Sequence, residues 1–271
     1  LVLDENRFMG SGPEPRADFE RLILRDRNHP SVIIWSIGNE EWFMHNSETG
    51  ASVARSLKRL QRELDPSRVC TYAGNNGAHY DGVNSVVDVR GVNYVNIGDI
   101  DAYHREHPGQ PIWGTEEAST FCTRGIYAVD TARGYVSDYD KHKPGYGTLA
   151  EEAWKYYDSR PWMAGLFIWT GFDYRGEPSP YTWPCISSHF GIMDVCGFPK
   201  NNFYYYQARW TDRDVLHLYP HWNREGLALP SAGADAAAAE VDVWCQTNTD
   251  SVELFLNDRS LGRKTLPPNG H

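Results

Sequence analysis

DRNHPSVIIWSIGNEE, residues 26–41, sets a buried strand directly before a pair of carboxylates. The charged start leads into Asn28-His29-Pro30, where Pro30 cannot continue a helix and pushes His29 out of helical angles. The run from Val32 to Ile37 is apolar and rich in β-branched residues, broken only by Ser36. That pattern predicts a strand buried on both faces, as in a parallel sheet. Gly38 ends the run and Asn39, Glu40 and Glu41 follow at once, so a carboxylate stands where a buried strand reaches the surface. In an α/β barrel the C-terminal strand ends are where catalytic groups gather.

Working outward, Leu1-Val2-Leu3 reads as a strand and residues 10–15 as a loop. Phe19, Leu22 and Ile23 make the apolar stripe of a helix over 17–28. Val53, Leu57 and Leu60 do the same for a helix over 50–63, with Pro66 beyond its end. Strands are predicted at 69–73, 86–94, 111–115 and 163–169, and helices at 100–106, 149–157 and 202–210. A polar loop covers 122–147 and a Gly/Pro-rich loop 171–199. Six strands mostly separated by helices indicate βαβ units. Eight are needed to close a (β/α)₈ TIM barrel, so two strands are expected upstream of Leu1. The pattern changes after Trp210. Residues 235–239 are Ala-rich and linker-like. Val241, Val243 and Cys245 alternate with polar residues, as do Val252, Leu254 and Leu256, and Asn257-Asp258 marks a turn from which 260–266 pairs back. The expected organisation is an incomplete TIM-barrel domain over 1–211, a connector over 212–240 and the truncated start of an immunoglobulin-like β-sandwich over 241–271.

The 271 residues are 41% hydrophobic and 13% aromatic, with ten Trp and sixteen Tyr. These aromatics suit sugar-stacking platforms and a packed core equally. A net charge of −10 argues against a nucleic-acid partner or an anionic membrane surface. No apolar run approaches the ~20 residues that span a bilayer. Cys70, Cys122, Cys185, Cys196 and Cys245 have no paired spacing, so neither a disulfide framework nor a zinc site is indicated. His104 and His107 have helical spacing but no third ligand, which reads as a solvated face. The chain starts without Met or a signal-like segment. We read the natural N-terminus as lying upstream, which leaves the compartment open between cytoplasm and periplasm.

Glu40 and Glu116 each end a predicted strand. Two carboxyls facing one another across a barrel mouth are the machinery of glycoside hydrolysis: one protonates the leaving oxygen, the other attacks or activates water. Glu41 and Glu117 adjoin them, and strand alternation sends neighbours to opposite faces.

The run 25–40, RDRNHPSVIIWSIGNE, closely resembles the acid/base signature of the family 2 glycoside hydrolases, the β-galactosidase and β-glucuronidase family. PIWGTE over 111–116 is similar to that family's nucleophile strand, and DVRGVNY over 88–94 is a third match. LFIWTGFDYRGE over 166–177, with YTWP at 181–184, and FGIMDVCGFPKNNFYYYQ over 190–207 resemble the β-galactosidase branch. The resemblance covers nearly the whole chain. It implies that Glu40 is the acid/base and Glu116 the nucleophile, 5–5.5 Å being the carboxyl spacing of a retaining enzyme. It also implies that Asn39 bonds the sugar 2-hydroxyl, that Tyr94 bonds the nucleophile, and that Trp169 forms part of the sugar floor. Many galactosidases of the family carry an acid and a His soon after an Asp-Glu pair, and these join the acid/base in binding Mg²⁺. Here Asp4-Glu5-Asn6 is followed by Arg7-Phe8-Met9-Gly10, so no metal and no cofactor is implied. The glucuronidases hold the sugar carboxylate with an Asn-x-Lys pair. The corresponding loop has Asp194 and no such pair before Gly197, which argues for a neutral sugar, with Asp194 as a substrate contact or a loop cap.

The expected activity is that of a retaining exo-β-glycosidase of the β-galactosidase kind, acting on a glycoside or oligosaccharide. The alternatives left open are a non-catalytic sugar-binding or scaffold segment, and a family 2 enzyme for another neutral β-sugar such as a mannoside or glucosaminide. A homo-oligomer of the full-length protein is also left open. Family members usually carry sandwich domains ahead of the barrel, so this stretch alone is expected to be inactive.

Overall fold

The computed structural model describes residues 1–77, 79–223, 227 and 240–266. The Ala-rich segment read as a linker therefore lies outside the described residues. The chain divides into two compact units, Leu1–Glu117 with Tyr156–Ile168, and Ala118–Lys155 with Trp169–His271.

The first unit alternates strands and helices: β1 (Val2–Glu5), α1 (Pro13–Asp26), β2 (Val32–Asn39), α2 (Glu48–Leu64), β3 (Val69–Ala73), β4 (Arg90–Asn93), α3 (Ile100–Glu106) and β5 (Ile112–Ala118). The helix α4 (Ala150–Asp158) and strand β6 (Met163–Trp169) follow. All six expected strands are present. They lie in two three-stranded sheets, ordered β1-β2-β3 and β4-β5-β6, and no closed barrel forms among the described residues. The pairs β1/β2, β2/β3 and β4/β5 are parallel. Backbone bonds from Val89 N–H to Cys70 O (3.3 Å) and Asn93 N–H to Gly74 O (2.9 Å) carry the order from β3 to β4.

β2 is buried on both faces, as its composition dictates. Trp35 and Ile37 pack with Phe19 and Ile23 of α1, Leu57 and Leu60 of α2, and Tyr72 of β3. The Trp35 indole N–H finds Asp65 Oδ2 at 2.9 Å, and Arg68 closes the same carboxylate at 2.6 Å. α1 starts at Pro13, earlier than the expected 17. Pro13 and Pro15 fall in the first turn, where the missing N–H groups have no intrahelical partner to lose, so they initiate the helix rather than belong to a loop. Ser47 caps α2 by accepting from Gly50 N–H at 3.1 Å.

The second unit holds α5 (Asn201–Trp210) and two antiparallel pairs. β7 (Leu216–Tyr219) pairs with β8 (Trp244–Thr247), and β9 (Ser251–Leu256) with β10 (Arg259–Thr265). The β9/β10 hairpin matches the alternation and the Asn257-Asp258 turn. β7 was not expected: it lies inside the segment read as a connector. Tyr127, Tyr139, Tyr219 and Leu227 form the aromatic core of this unit. Lys200, fully buried, is satisfied by Asp173 at 2.7 Å and the Cys122 carbonyl at 2.7 Å. No helix among the described residues is long and apolar enough to cross a membrane.

Candidate active site

Both strands that lead to the predicted carboxylates carry one extra residue just before them. In β2 the register slips between Ser36 and Asn39, and in β5 the step from Gly114 to Glu116 faces a single step from Val92 to Asn93. Such bulges re-aim side chains next to functional sites. Glu116 therefore lies within β5, which runs on to Ala118, rather than beyond a strand ending at Thr115.

The bulges sort the paired acids. Glu40 and Glu116 are half-buried, whereas Glu41 and Glu117 are buried. Glu41 accepts from the Met9 N–H at 2.6 Å, and Glu117 from the Tyr157 hydroxyl at 2.7 Å. Glycine makes both arrangements possible. A Cβ at Gly38 would sit 2.4 Å from Met9 Cβ, and one at Gly114 would sit 2.2 Å from the Tyr157 hydroxyl. So the second acid of each pair anchors the strand end, and the first is left half-exposed.

Asn93, at the end of β4, joins the two. Its amide nitrogen stands 2.8 Å from Glu40 Oε1, 3.3 Å from Glu116 Oε2 and 3.1 Å from Asn39 Oδ1. The two carboxylate oxygens are thus no more than about 6 Å apart, the sum of the two bonds they share with one atom. The Thr115 hydroxyl donates to Asn93 Oδ1 at 2.6 Å, which fixes the amide with its NH₂ toward the acids. Two hydrogens serve three acceptors, so one bond is long. The Tyr94 hydroxyl donates to Glu116 Oε1 at 2.5 Å. Asn39, Glu40, Tyr94 and Glu116 are brought together, and Asn93 is a further member that no sequence pattern singles out. It lies inside the quoted DVRGVNY motif, but an uncharged amide carries no signal of its own in one sequence.

Glu40 and Tyr94 both adopt left-handed backbone angles, φ 56° and 64°. For residues other than glycine such angles cost of order 1–3 kcal/mol and persist where surrounding contacts impose them. Here the Glu40 N–H is held by Ala73 O at 3.0 Å and the Tyr94 N–H by Glu116 O at 3.0 Å.

Removing the amide bridge tests its importance. Asn93→Ala is expected to lower kcat/KM by about 10²-fold, the usual effect of letting reacting groups drift by an ångström. Thr115→Val, which only frees the amide to rotate, is expected to cost less. Steady-state kinetics of the two variants check the order.

A third carboxyl faces the pair. Glu5 ends β1 opposite Ser36 of β2. Burial, and then the neighbouring charges of Glu116, Glu41 and Glu40, push it up to about 8. A group held above its unfolded pKa contributes stability that is complete below pH ~4.5 and is lost as pH rises to about 8. Glu5→Gln is uncharged throughout. It is expected to melt about 5 °C above the parent at pH 9 and with it at pH 5. Melting curves that stay parallel across that range would exclude a neutral buried carboxyl at this position.

Trp169 and Asp194 belong to the second unit. Trp169 is half-buried and meets Tyr174 edge to face at 5.7 Å. Asp194 accepts from Arg124 Nε at 2.6 Å and from the N–H groups of Cys196 (2.9 Å) and Phe198 (3.0 Å). This is the loop-cap arrangement, with the charge already matched by Arg124. The expected repulsion of an acidic sugar by Asp194 therefore loses its basis. His104 and His107, read as a solvated face, stack on Trp162 at 4.1 Å and Tyr80 at 3.9 Å.

Comparison with known proteins gives the family. Residues 16–212 fit the model of the glycosyl hydrolases family 2, TIM barrel domain, and residues 238–271 fit a domain of unknown function (DUF4982). The chain is 36% identical to beta-galactosidase BoGH2A of Bacteroides ovatus, over 91% of this chain and 33% of that one. It is 25% identical to a beta-glucuronidase of Formosa agariphila, over 93% of this chain and 24% of that one. The crystal structure of a beta-glycosidase from Bacteroides vulgatus superposes with a TM-score of 0.72 at 30% identity, covering 94% of this chain and 34% of that one. The chain thus spans a third or less of the length of these two curated relatives. With a catalytic-barrel match over most of its length, the chain belongs to the glycosyl hydrolases of family 2.

Proposed function

We propose that the protein is a retaining exo-β-glycosidase working by double displacement, with terminal β-galactosyl residues as substrate. The observation that carries this reading is the single Asn93 amide shared by Glu40 and Glu116. Oxygens within about 6 Å suit the close carboxyl pair of a retaining site, whereas inverting sites leave roughly 6.5–9.5 Å for a water.

In the first step Glu116 attacks the anomeric carbon while Glu40 gives its proton to the departing glycosidic oxygen. In the second, Glu40 takes a proton from water, which cleaves the glycosyl ester and restores Glu116. The Tyr94 hydroxyl favours the ionised form of Glu116. Asn39 has its oxygen engaged by Asn93, which turns its NH₂ outward as a donor for the sugar 2-hydroxyl. Trp169 is given the sugar-floor role by the family resemblance alone. In the same proposal, residues 1–211 are the barrel domain and the β9/β10 hairpin opens an immunoglobulin-like sandwich over 241–271.

The galactosyl preference rests on the likeness to BoGH2A and on the lack of an Asn-x-Lys pair before Gly197. A glucuronide is the competing substrate, since glucuronidases also stand among the relatives. A panel of aryl β-glycosides (galactoside, glucuronide, mannoside, glucosaminide) tests the reading, with the anomer first released followed by NMR. Galactoside turnover with β-product is expected. Release of the α-anomer would overturn double displacement. Sugar affinity without turnover would favour a binding module.

A further inference from the structure

We propose that Trp42 and Phe43 form a leaving-group platform, a subsite that stacks on the flat C–H face of the pyranose released when the glycosidic bond breaks. The proposal rests on Glu40 being the acid/base. A general acid must come within hydrogen-bond reach of the glycosidic oxygen, so the departing group lies on the acid's side of the cleaved bond.

The chain beyond Glu40 turns sharply. The Trp42 N–H donates to the Glu40 carbonyl at 2.7 Å, and the N–H groups of Met44 and His45 both donate to the Glu41 carbonyl at 3.0 Å. Within this turn Glu41 goes inward to Met9, while Trp42 and Phe43 go outward. They are 79% and 58% exposed, more than any other aromatic side chain among the described residues of the first unit. The rings meet edge to face, 6.0 Å between centroids at 90°. Two residues of chain span at most about 7 Å, so the indole stays close to Glu40.

Two large aromatic rings left in solvent two and three residues from the acid offer a surface to a ligand held there. Its chemistry selects the ligand. Neither ring bears a positive charge, so an anionic group gains nothing there. A sugar ring offers a C–H face to the indole and keeps its hydroxyls in water.

The test compares two substrates of the full-length protein that differ only in what leaves, using the sugar identified by the aryl panel. One is the glycosyl fluoride, whose leaving group is too small to touch the platform. The other is the β-linked disaccharide with glucose at the reducing end. Trp42→Ala is expected to lower kcat/KM for the disaccharide by about tenfold, with the fluoride within about twofold of the parent. Phe43→Ala is expected to do the same more weakly. Equal losses on both substrates would make the rings structural and overturn the platform, as would no loss on either. A parent protein inert toward every glycosyl fluoride would instead remove the glycosidase reading on which the platform stands.

Discussion

Glu116→Gln is expected to lower kcat by at least about four orders of magnitude, leaving a protein that folds and binds but does not turn over. An amide keeps the shape that accepts from the Tyr94 hydroxyl and Asn93. It lacks the charge that attacks the anomeric carbon and balances the oxocarbenium character of the transition state. Glu116→Gly separates chemistry from folding. Azide can occupy the vacated space, attack from the nucleophile's side and release the α-glycosyl azide, restoring activity with inverted product. Labelling with a 2-deoxy-2-fluoro glycoside followed by peptide mass spectrometry should place the trapped sugar on Glu116. A label on another peptide, or a Gln variant with parental turnover, removes Glu116 from this role.

The second large effect falls on Glu40, and its size depends on the substrate. Glu40→Gln keeps an oxygen that accepts from Asn93 Nδ2, so the arrangement of the site is preserved while the transferable proton is lost. General acid catalysis is worth about 10²–10⁴-fold. That full loss is expected in kcat/KM for an alkyl glycoside or disaccharide, whose alkoxide leaves poorly without a proton. A dinitrophenyl glycoside needs no such help and is expected to form the glycosyl-enzyme at nearly the parental rate. Breakdown is then slow, because water has lost its base. A burst of dinitrophenolate followed by slow turnover is the diagnostic trace. A uniform loss on both substrates would indicate that Glu40 positions the sugar rather than moving a proton.

Much of this was legible because the informative features are local. Val32–Asn39 announces itself by β-branched residues and a terminal glycine, and the acids follow in the next positions. What local patterns lack is register. The extra residue in β2 and in β5 appears only when the neighbouring strands are paired, and it goes with Glu40 and Glu116 staying half-exposed while Glu41 and Glu117 are buried. The Asn93 bridge depends on three strand ends meeting and has no trace in any one of them. β7 was hidden for a different reason. Four residues with a single alternation are too short to stand out from a connector until Trp244–Thr247 pairs with them. Asp194 reads from the sequence as a substrate contact or a loop cap, and its bonds to Arg124 and two backbone N–H groups are those of the cap.

The left-handed backbone at Glu40 and Tyr94 has an evolutionary corollary. Both residues hold conformations that glycine would adopt without cost, and neither side chain can be dispensed with if the chemistry is right. Selection on heat resistance alone would therefore pull against turnover here, because relaxing either bend silences the site it creates. A library of this domain ranked by survival at high temperature is the wrong place to look for its fastest members.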